Sequence, residues 1–157
     1  MASEASIDVG FLLVDRSIHH LRLMVHGFVL LVAQDSVLAG RVTVTCAEAV
    51  ECLTRKLAMK ACNVRLRLER DRTRVEVSIE ADDATLRGIE KVLDAINRES
   101  PLSAYTQALA NAALPDGDTM LGLTRIRYEG RMSLQSRRQG RQLTLLADTM
   151  EAAESAR

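Results

Sequence analysis

Aromatic residues are scarce in this 157-residue chain: they make up 3% of the sequence, and tryptophan is absent. Proteins that bind single-stranded nucleic acids usually stack the bases on aromatic rings, so this scarcity argues against that class. A surplus of positive charge is also lacking, because 21 Lys and Arg residues balance 21 Asp and Glu residues. Nucleic-acid binders usually need such a surplus to neutralise phosphates. The composition therefore predicts an aliphatic-cored domain that binds no nucleic acid.

Cysteines at the spacing of a metal site or a disulfide framework are missing as well. Cys46, Cys52 and Cys62 are odd in number and include no CxxC pair. This pattern predicts reduced, mostly buried thiols. The three histidines share one predicted helix at spacings that do not suit a single ion without a further ligand, so no metal site is predicted.

Long hydrophobic runs are also absent. The most apolar stretch, residues 21–33, is shorter than the roughly 20 residues that a membrane-spanning helix needs. The first residues lack the basic and apolar regions of a secretory leader, so we expect a cytoplasmic protein without a membrane segment. The length predicts one domain over 1–157, with a core at about 8–148 and a frayed tail at 149–157.

The spacing of the apolar residues predicts the secondary structure. Helices are expected at about 17–34, 43–60, 85–97, 101–112 and 121–128, with Gly40 as a break between the first two. Strands are expected at about 9–14, 64–69, 75–80, 131–137 and 142–147. The second and third strands alternate strictly between apolar and polar residues and form an antiparallel hairpin. This order predicts an α+β fold, a two-layer sandwich with helices on one face of a mixed, mainly antiparallel sheet.

Glu48 and Cys52 lie four residues apart on the predicted second helix and so share one face of it. Near a bound nucleotide, a glutamate at such a position would serve as a general base or order a water on magnesium. A solvated helix face with an ion pair between Glu51 and Arg55 explains the same pattern without any chemistry. The residue types leave both interpretations open.

Gly122 lies in a short apolar segment, 120–123, that follows Gly117. One interpretation is a phosphate-facing loop at the start of a helix, where free backbone N–H groups hold an anion and glycine permits its close approach. The other is a plain turn between two helices.

Three segments and the order of elements resemble the GHKL ATPase superfamily, and within it the anti-sigma-factor-type serine kinases, over about 41–147. Residues 43–55 resemble the N-box helix, in which a Glu is followed four positions later by Asn. The hairpin and the helix at 85–97 occupy the place of the family's first glycine region. Residues 117–129 resemble its second glycine motif. The resemblance implies a histidine-kinase-type ATPase-like fold.

The chain departs from this family at the residues that would bind nucleotide. Cys52 replaces the magnesium-binding Asn, and a neutral thiol is a poor ligand for a hard cation. The first glycine box is missing, and Asp82 and Asp83 stand in that stretch without a glycine. The resemblance therefore implies a degenerate nucleotide pocket with Glu48 as a relic general base. Its remaining members would be Cys52, Asp82, Asp83, Gly117 and Gly122.

The function implied by the resemblance is a non-catalytic protein-interaction module, a pseudokinase of bacterial signalling that acts by partner switching without a cofactor. Its expected partners are a STAS-domain protein, a response-regulator-linked protein or a second copy of itself. One alternative is an enzyme, an ATP- and magnesium-dependent serine/threonine kinase that uses Glu48 as its base. Another is a small-ligand sensor that uses the same cleft.

Overall fold

The computed structural model describes residues 4–12, 17–58, 60–115 and 117–150. Five strands and five helices lie within these ranges. In chain order they are β1 (Ala5–Leu12), α1 (Ser17–Ala33), α2 (Ser36–Thr54), β2 (Ala61–Leu68), β3 (Thr73–Glu80), α3 (Asp83–Asn97), α4 (Pro101–Ala110), α5 (Gly117–Tyr128), β4 (Met132–Gln139) and β5 (Gln142–Thr149).

The five strands form one sheet in the order β1-β2-β3-β5-β4. One face of this sheet is apolar and buried under the helices, which confirms the α+β, two-layer class. The sequence allowed a mixed sheet, whereas all four pairings in the described residues are antiparallel. Short hairpin links between β2 and β3 and between β4 and β5 account for two of these antiparallel pairings.

The predicted central hairpin is confirmed. Val64 pairs with Val77 and Arg65 with Glu76 across β2 and β3, and the turn lies between Leu68 and Thr73. Because successive side chains of a strand point to opposite faces, the valines enter the core while the charged pair faces away from the helices. The strict alternation of apolar and polar residues in β2 and β3 therefore correctly predicted that one face of the hairpin is buried.

The predicted boundaries of α2 are wrong at both ends. Asp35 caps this helix, because its Oδ1 accepts hydrogen bonds from the backbone N–H groups of Val37 and Leu38, each at 2.9 Å. The helix therefore starts at Ser36, and Gly40 lies inside it instead of breaking the chain. At the other end the helix stops at Thr54, before the predicted residue 60.

Other predicted boundaries need smaller corrections. α5 starts at Gly117, so the predicted loop at 115–118 is helical in its second half. Thr149 is the last residue of β5 and not the beginning of a tail. Residues 151–157 of the predicted tail and residues 13–14 of the predicted first strand lie outside the described residues.

α2 occupies the middle of the helical layer. It packs against α1 on one side, α5 on the other, and β2 and β3 below. Its core positions are fully buried, among them Val42, Cys46, Val50 and Leu53. Since neighbouring elements cover α2 on three sides, its packing determines what lies next to Glu48 and Cys52. In the described part of the chain, no helix combines the length and apolar character needed to cross a bilayer.

Candidate functional site

Three of the predicted site residues meet where α2 crosses α5. Glu48 and Cys52 lie on α2, and Gly122 lies on α5. A Cβ atom built at Gly122 would stand 2.3 Å from the Cys52 sulfur and 2.9 Å from Glu48 Oε2. No side chain fits such a space, so glycine permits the two helices to touch at this point. We call these three residues the α2–α5 contact.

The position of Gly122 corrects one expectation. Gly122 lies past the first turn of α5, whereas the sequence left open a phosphate-facing loop at the start of a helix or a plain turn between two helices. Free backbone N–H groups occur only in the first turn of a helix, so the N–H at this position is not directed at an anion. Packing against α2 explains the glycine instead.

Glu48 is buried and paired. It is 6% exposed, and its Oε1 accepts a hydrogen bond from Arg125 Nη1 at 2.5 Å. Burial raises the pKa of the Glu48 carboxyl, and the positive charge of Arg125 offsets part of this increase. Arg125 also forms an ion pair with Glu129 at 3.2 Å. The Glu48 carboxylate is therefore engaged by a partner that no short-range pattern in the sequence indicated.

The Cys52 thiol is also buried and donates a hydrogen bond to the backbone oxygen of Thr119 at 3.6 Å. Burial raises the pKa of Cys52 to about 12, and the nearby Glu48 carboxylate acts in the same direction. The thiol is therefore protonated at neutral pH. Protonated thiols do not coordinate magnesium, which binds to oxygen ligands.

A small cavity adjoins this contact, between α2, α3 and α5. Its volume is about 70 Å³, and its lining includes Cys52, Lys56, Thr85, Gly88 and Thr119. Sites for drug-sized ligands are about 300–1,000 Å³. The cavity is therefore smaller than the usual site for a ligand of that size.

The two predicted aspartates lie at the start of α3 and take part in local structure. Asp82 caps this helix by accepting a hydrogen bond from the Thr85 N–H at 2.8 Å, and backbone hydrogen bonding from Thr85 lowers the pKa of Asp82. Asp83 forms ion pairs with Arg87 and Arg138. The hydrogen bond from Arg138 is the largest cause that lowers the pKa of Asp83. Neither aspartate lines the small cavity.

Gly117 is separate from the small cavity as well. It is buried at the start of α5, where a Cβ atom would stand 2.5 Å from the Asn111 oxygen and 2.6 Å from the Ala112 oxygen. Its N–H donates to the Leu114 oxygen at 2.9 Å. Gly117 therefore allows the tight connection from α4 to α5. The structure brings together three of the six predicted residues and places the other three in separate structural positions.

A larger concavity, which the sequence did not indicate, lies on the polar face of the sheet. Its volume is about 340 Å³. Charged and amide side chains line it, including Asn63, Arg65, Glu76, Arg137 and Gln142. The alternation of β2 and β3 predicted polar residues on this face, but their meeting with β4 and β5 depends on the strand order. Within the described ranges, no cluster of three or more His, Cys, Asp or Glu side chains is arranged to hold a metal ion.

Of the comparisons with known proteins, only the one with solved structures found a match. No family model and no curated protein sequence matches the chain. Among solved structures, a chain in the crystal structure of the SiaB–SiaC complex from Pseudomonas aeruginosa is similar, with a TM-score of 0.66 and 14% sequence identity. The similarity covers 89% of this chain and 88% of that chain. At this identity the likeness shows a shared α+β fold.

Proposed function

We propose that this chain is a non-catalytic protein-interaction module of bacterial signalling that acts by partner switching in the cytoplasm. The observation that carries the proposal is the α2–α5 contact. In the GHKL proteins that the sequence resembles, the corresponding N-box helix supplies a general base and a magnesium ligand. Here the same face of α2 is covered by Gly122.

Three properties of this contact argue against phosphoryl transfer. Such catalysis depends on positioning and on metal electrostatics, and little covalent chemistry is left for the protein. Glu48 is paired with Arg125, Cys52 is a protonated thiol, and the adjoining cavity has a volume of only about 70 Å³. The residues present therefore do not fit magnesium-bound ATP. The small cavity also disfavours the sensor for a small ligand.

The comparison supports a role in protein binding. The similar chain belongs to a complex of two different proteins, SiaB and SiaC, so a chain of this fold is known in a protein assembly. The two surfaces of the sandwich differ, since the helical side includes exposed leucines and the other side of the sheet is polar and concave. A partner with a STAS domain, or one linked to a response regulator, is the class that we propose to test first.

The proposal is tested by capturing partners on the immobilised full chain from a lysate of the bacterium that encodes it. Wild type is compared with Glu48→Gln, which keeps the size of the side chain and removes its charge. We expect both to retain the same signalling protein in stoichiometric amount without added nucleotide. Incubation of the complex with labelled magnesium-ATP should leave both proteins unphosphorylated.

Two results would reverse the proposal. Label that reaches the partner with wild type but not with Glu48→Gln would establish the serine/threonine kinase alternative. Failure to retain any signalling protein, with or without nucleotide, would contradict the proposal that the chain is a protein-interaction module.

A further inference from the structure

A cavity lined by three arginines lies where the first half of α2 faces the end of α5. Its volume is about 390 Å³. Arg41 belongs to α2, Arg127 belongs to α5, and Arg131 lies in the turn between α5 and β4. We call this cavity the arginine cavity; its other lining residues are Pro101, Tyr128, Glu129 and Met150. It shares no lining residue with the small cavity beside the α2–α5 contact.

A tight turn after α5 brings Arg131 to this cavity. A Cβ atom at Gly130 would stand 2.5 Å from Thr45 Oγ1, so glycine permits the chain to pass against α2 at this point. Thr45 and Arg41 are four positions apart and therefore share one face of α2. Arg131 follows Gly130 with a φ of 52°, which residues other than glycine seldom adopt. The packing of this turn on α2 thus places two arginines from distant parts of the chain at one cavity.

Arg127 is half-buried and donates its hydrogen bonds to uncharged groups. Its guanidinium contacts the backbone oxygens of Ile96 and Glu99, the second at 3.0 Å. Burial lowers the pKa of Arg127, because these oxygens carry no full charge to offset the loss of water. A cation that has lost part of its water is stabilised by an anion next to it. Among the residues that the structure describes, Arg127 has no such anion in an ion pair.

The other two arginines also lack an acidic partner. Within the described ranges, neither Arg41 nor Arg131 forms an ion pair or a side-chain hydrogen bond. Glu129, the carboxylate of the lining, is engaged by Arg125 at 3.2 Å and by the Tyr105 hydroxyl at 3.1 Å. Three positive charges thus line a cavity whose carboxylate already has two partners. Since the 21 basic and 21 acidic residues of the chain balance, this excess of positive charge is local, and it favours an anionic occupant.

Exposed apolar side chains extend from the arginine cavity onto α4. Tyr128 is 42% exposed, and its ring stacks on that of Tyr105 with 4.8 Å between the ring centres. Leu102 and Leu109 lie three positions before and four positions after Tyr105, so all three share one face of α4. The two leucines are 56% and 50% exposed. They are about 10 Å apart along the helix, so this surface is longer than a small ion covers.

The combination of arginines with exposed apolar side chains favours a segment of protein as the occupant. Arginine and tyrosine are enriched where proteins bind each other, and arginine pairs with a carboxylate through two parallel hydrogen bonds. A nucleic-acid backbone would complement the arginines but would leave the leucines of α4 uncovered. A segment that contains both acidic and apolar side chains complements both parts of the surface.

We propose that the arginine cavity and the adjoining face of α4 bind an acidic segment of a protein partner. Its carboxylates pair with Arg41, Arg127 and Arg131, and its apolar side chains cover Leu102 and Tyr128. This inference rests on the proposed function, in which the chain binds a protein, and adds the surface that is used and the chemistry that it recognises.

Fluorescence anisotropy with a defined peptide tests the recognised chemistry on the full chain. The probe is a fluorescein-labelled peptide with the repeat Leu-Glu-Glu, and the matched probe carries Gln in place of every Glu. We expect the full chain to bind the Glu peptide saturably and at least about 10-fold more tightly than the Gln peptide. Because salt screens exposed charges, affinity for the Glu peptide should fall as sodium chloride is raised from about 0.05 M to about 0.5 M.

Substitutions locate the binding surface. Arg41→Gln and Arg131→Gln should each weaken binding of the Glu peptide by about 5-fold, and the double variant by about 20-fold or more. Arg70→Gln is the matched control, because Arg70 is an exposed arginine in the turn between β2 and β3. Leu102→Gln should also weaken binding, whereas Leu31→Gln, at an exposed leucine of α1, should not. Circular dichroism should show that each variant is folded, since all five side chains lie at the surface or half-buried.

Three results would overturn the inference. They are equal affinity for the Glu and Gln peptides, binding by the double arginine variant that matches wild type, and tighter binding to single-stranded oligothymidylate or to phosphatidylserine vesicles than to the Glu peptide.

The double arginine variant also separates this inference from the proposed function. In the capture experiment, a signalling protein that wild type and Arg70→Gln retain and the double variant loses would support both. A signalling protein that the double variant retains as well as wild type would overturn only the assigned surface. Binding of the Glu peptide through Arg41 and Arg131 without capture of any signalling protein would contradict only the proposed function.

Discussion

At the scale of single residues, Glu48 shows how a position that resembles a catalytic base can take a structural role. Its carboxylate is buried, its pKa is raised by that burial, and Arg125 supplies the opposite charge. An ionised group without a partner is very costly to bury. The ion pair with Arg125 offsets part of this free-energy cost for Glu48. A general base must instead have its oxygen free to reach a substrate.

The closeness of α2 and α5 predicts that Gly122→Ala destabilises the fold. The new methyl group would stand 2.3 Å from the Cys52 sulfur, so the buried Cys52 and Glu48 side chains, or the helices that carry them, have to shift. We expect the free energy of unfolding to fall by about 1–3 kcal/mol, measured by urea denaturation. Adding Cys52→Ala to this variant should restore part of the loss, because it removes the atom in conflict. An unchanged stability of Gly122→Ala would contradict the direct contact.

Asp148 predicts a dependence of stability on pH. Burial acts to raise its pKa, but hydrogen bonds from Arg74 and Arg72 outweigh burial, and the pKa of Asp148 is lowered. A lowered pKa means that the ion pairs stabilise the fold above the ordinary value near 3.9, and that this stability is lost as the pH falls through the lowered value. We expect Asp148→Asn to lower the free energy of unfolding by about 1–2 kcal/mol at pH 7.

The difference between Asp148→Asn and wild type should therefore shrink in urea unfolding series that run from pH 7 down to pH 3. Asp94→Asn is the control, because Asp94 is exposed on α3 and should leave the stability nearly unchanged. A difference that stays constant over this pH range would show that the two arginines do not favour the ionised form of Asp148.

At the scale of elements, the segments with one buried face were those that the sequence predicted well. β2 and β3 alternate between buried and half-buried or exposed residues, and α3 buries Leu86, Ile89 and Leu93 at helical spacing. Such segments carry a clear period because one side meets the core and the other meets solvent. Their positions needed corrections of only a few residues.

α2 was predicted less well because neighbours surround it on three sides. Nearly every residue from Thr45 to Thr54 is buried, which removes the contrast between an apolar and a polar face. The start of the helix was still present in the sequence as Asp35 followed by Ser36, a pattern typical of an N-cap, but the break assigned to Gly40 obscured it. A helix that is buried on several sides is thus harder to delimit from its sequence.

The location of Gly40 inside α2 leads to a prediction of the opposite sign to that for Gly122. A Cβ atom at Gly40 would have no atom within 4 Å, and the position is helical. Gly40→Ala should therefore raise the free energy of unfolding by about 0.4–1 kcal/mol, because alanine restricts the unfolded chain and favours helix. Urea denaturation beside Gly122→Ala measures both effects. A loss of stability in Gly40→Ala would contradict an uninterrupted α2.

At the scale of the whole molecule, the candidate site was predictable only where its residues share one element. Glu48 and Cys52 are four positions apart, so helical geometry alone placed them on one face. Arg125 is 77 positions from Glu48, and no local period links residues at such a distance. The volume of the adjoining cavity likewise depends on how α3 and α5 pack on α2. Long-range packing therefore determines which side chains and how much space lie next to Glu48 and Cys52, and no local pattern in the sequence predicts either.

The central claim is that this chain binds proteins and does not use ATP. Isothermal titration calorimetry of magnesium-ATP into concentrated full chain tests it most directly, with titration into buffer and titration without magnesium as controls. A closed α2–α5 contact predicts heats equal to those of dilution in every titration. A saturable, magnesium-dependent heat near one nucleotide per chain, abolished by Glu48→Gln, would contradict it.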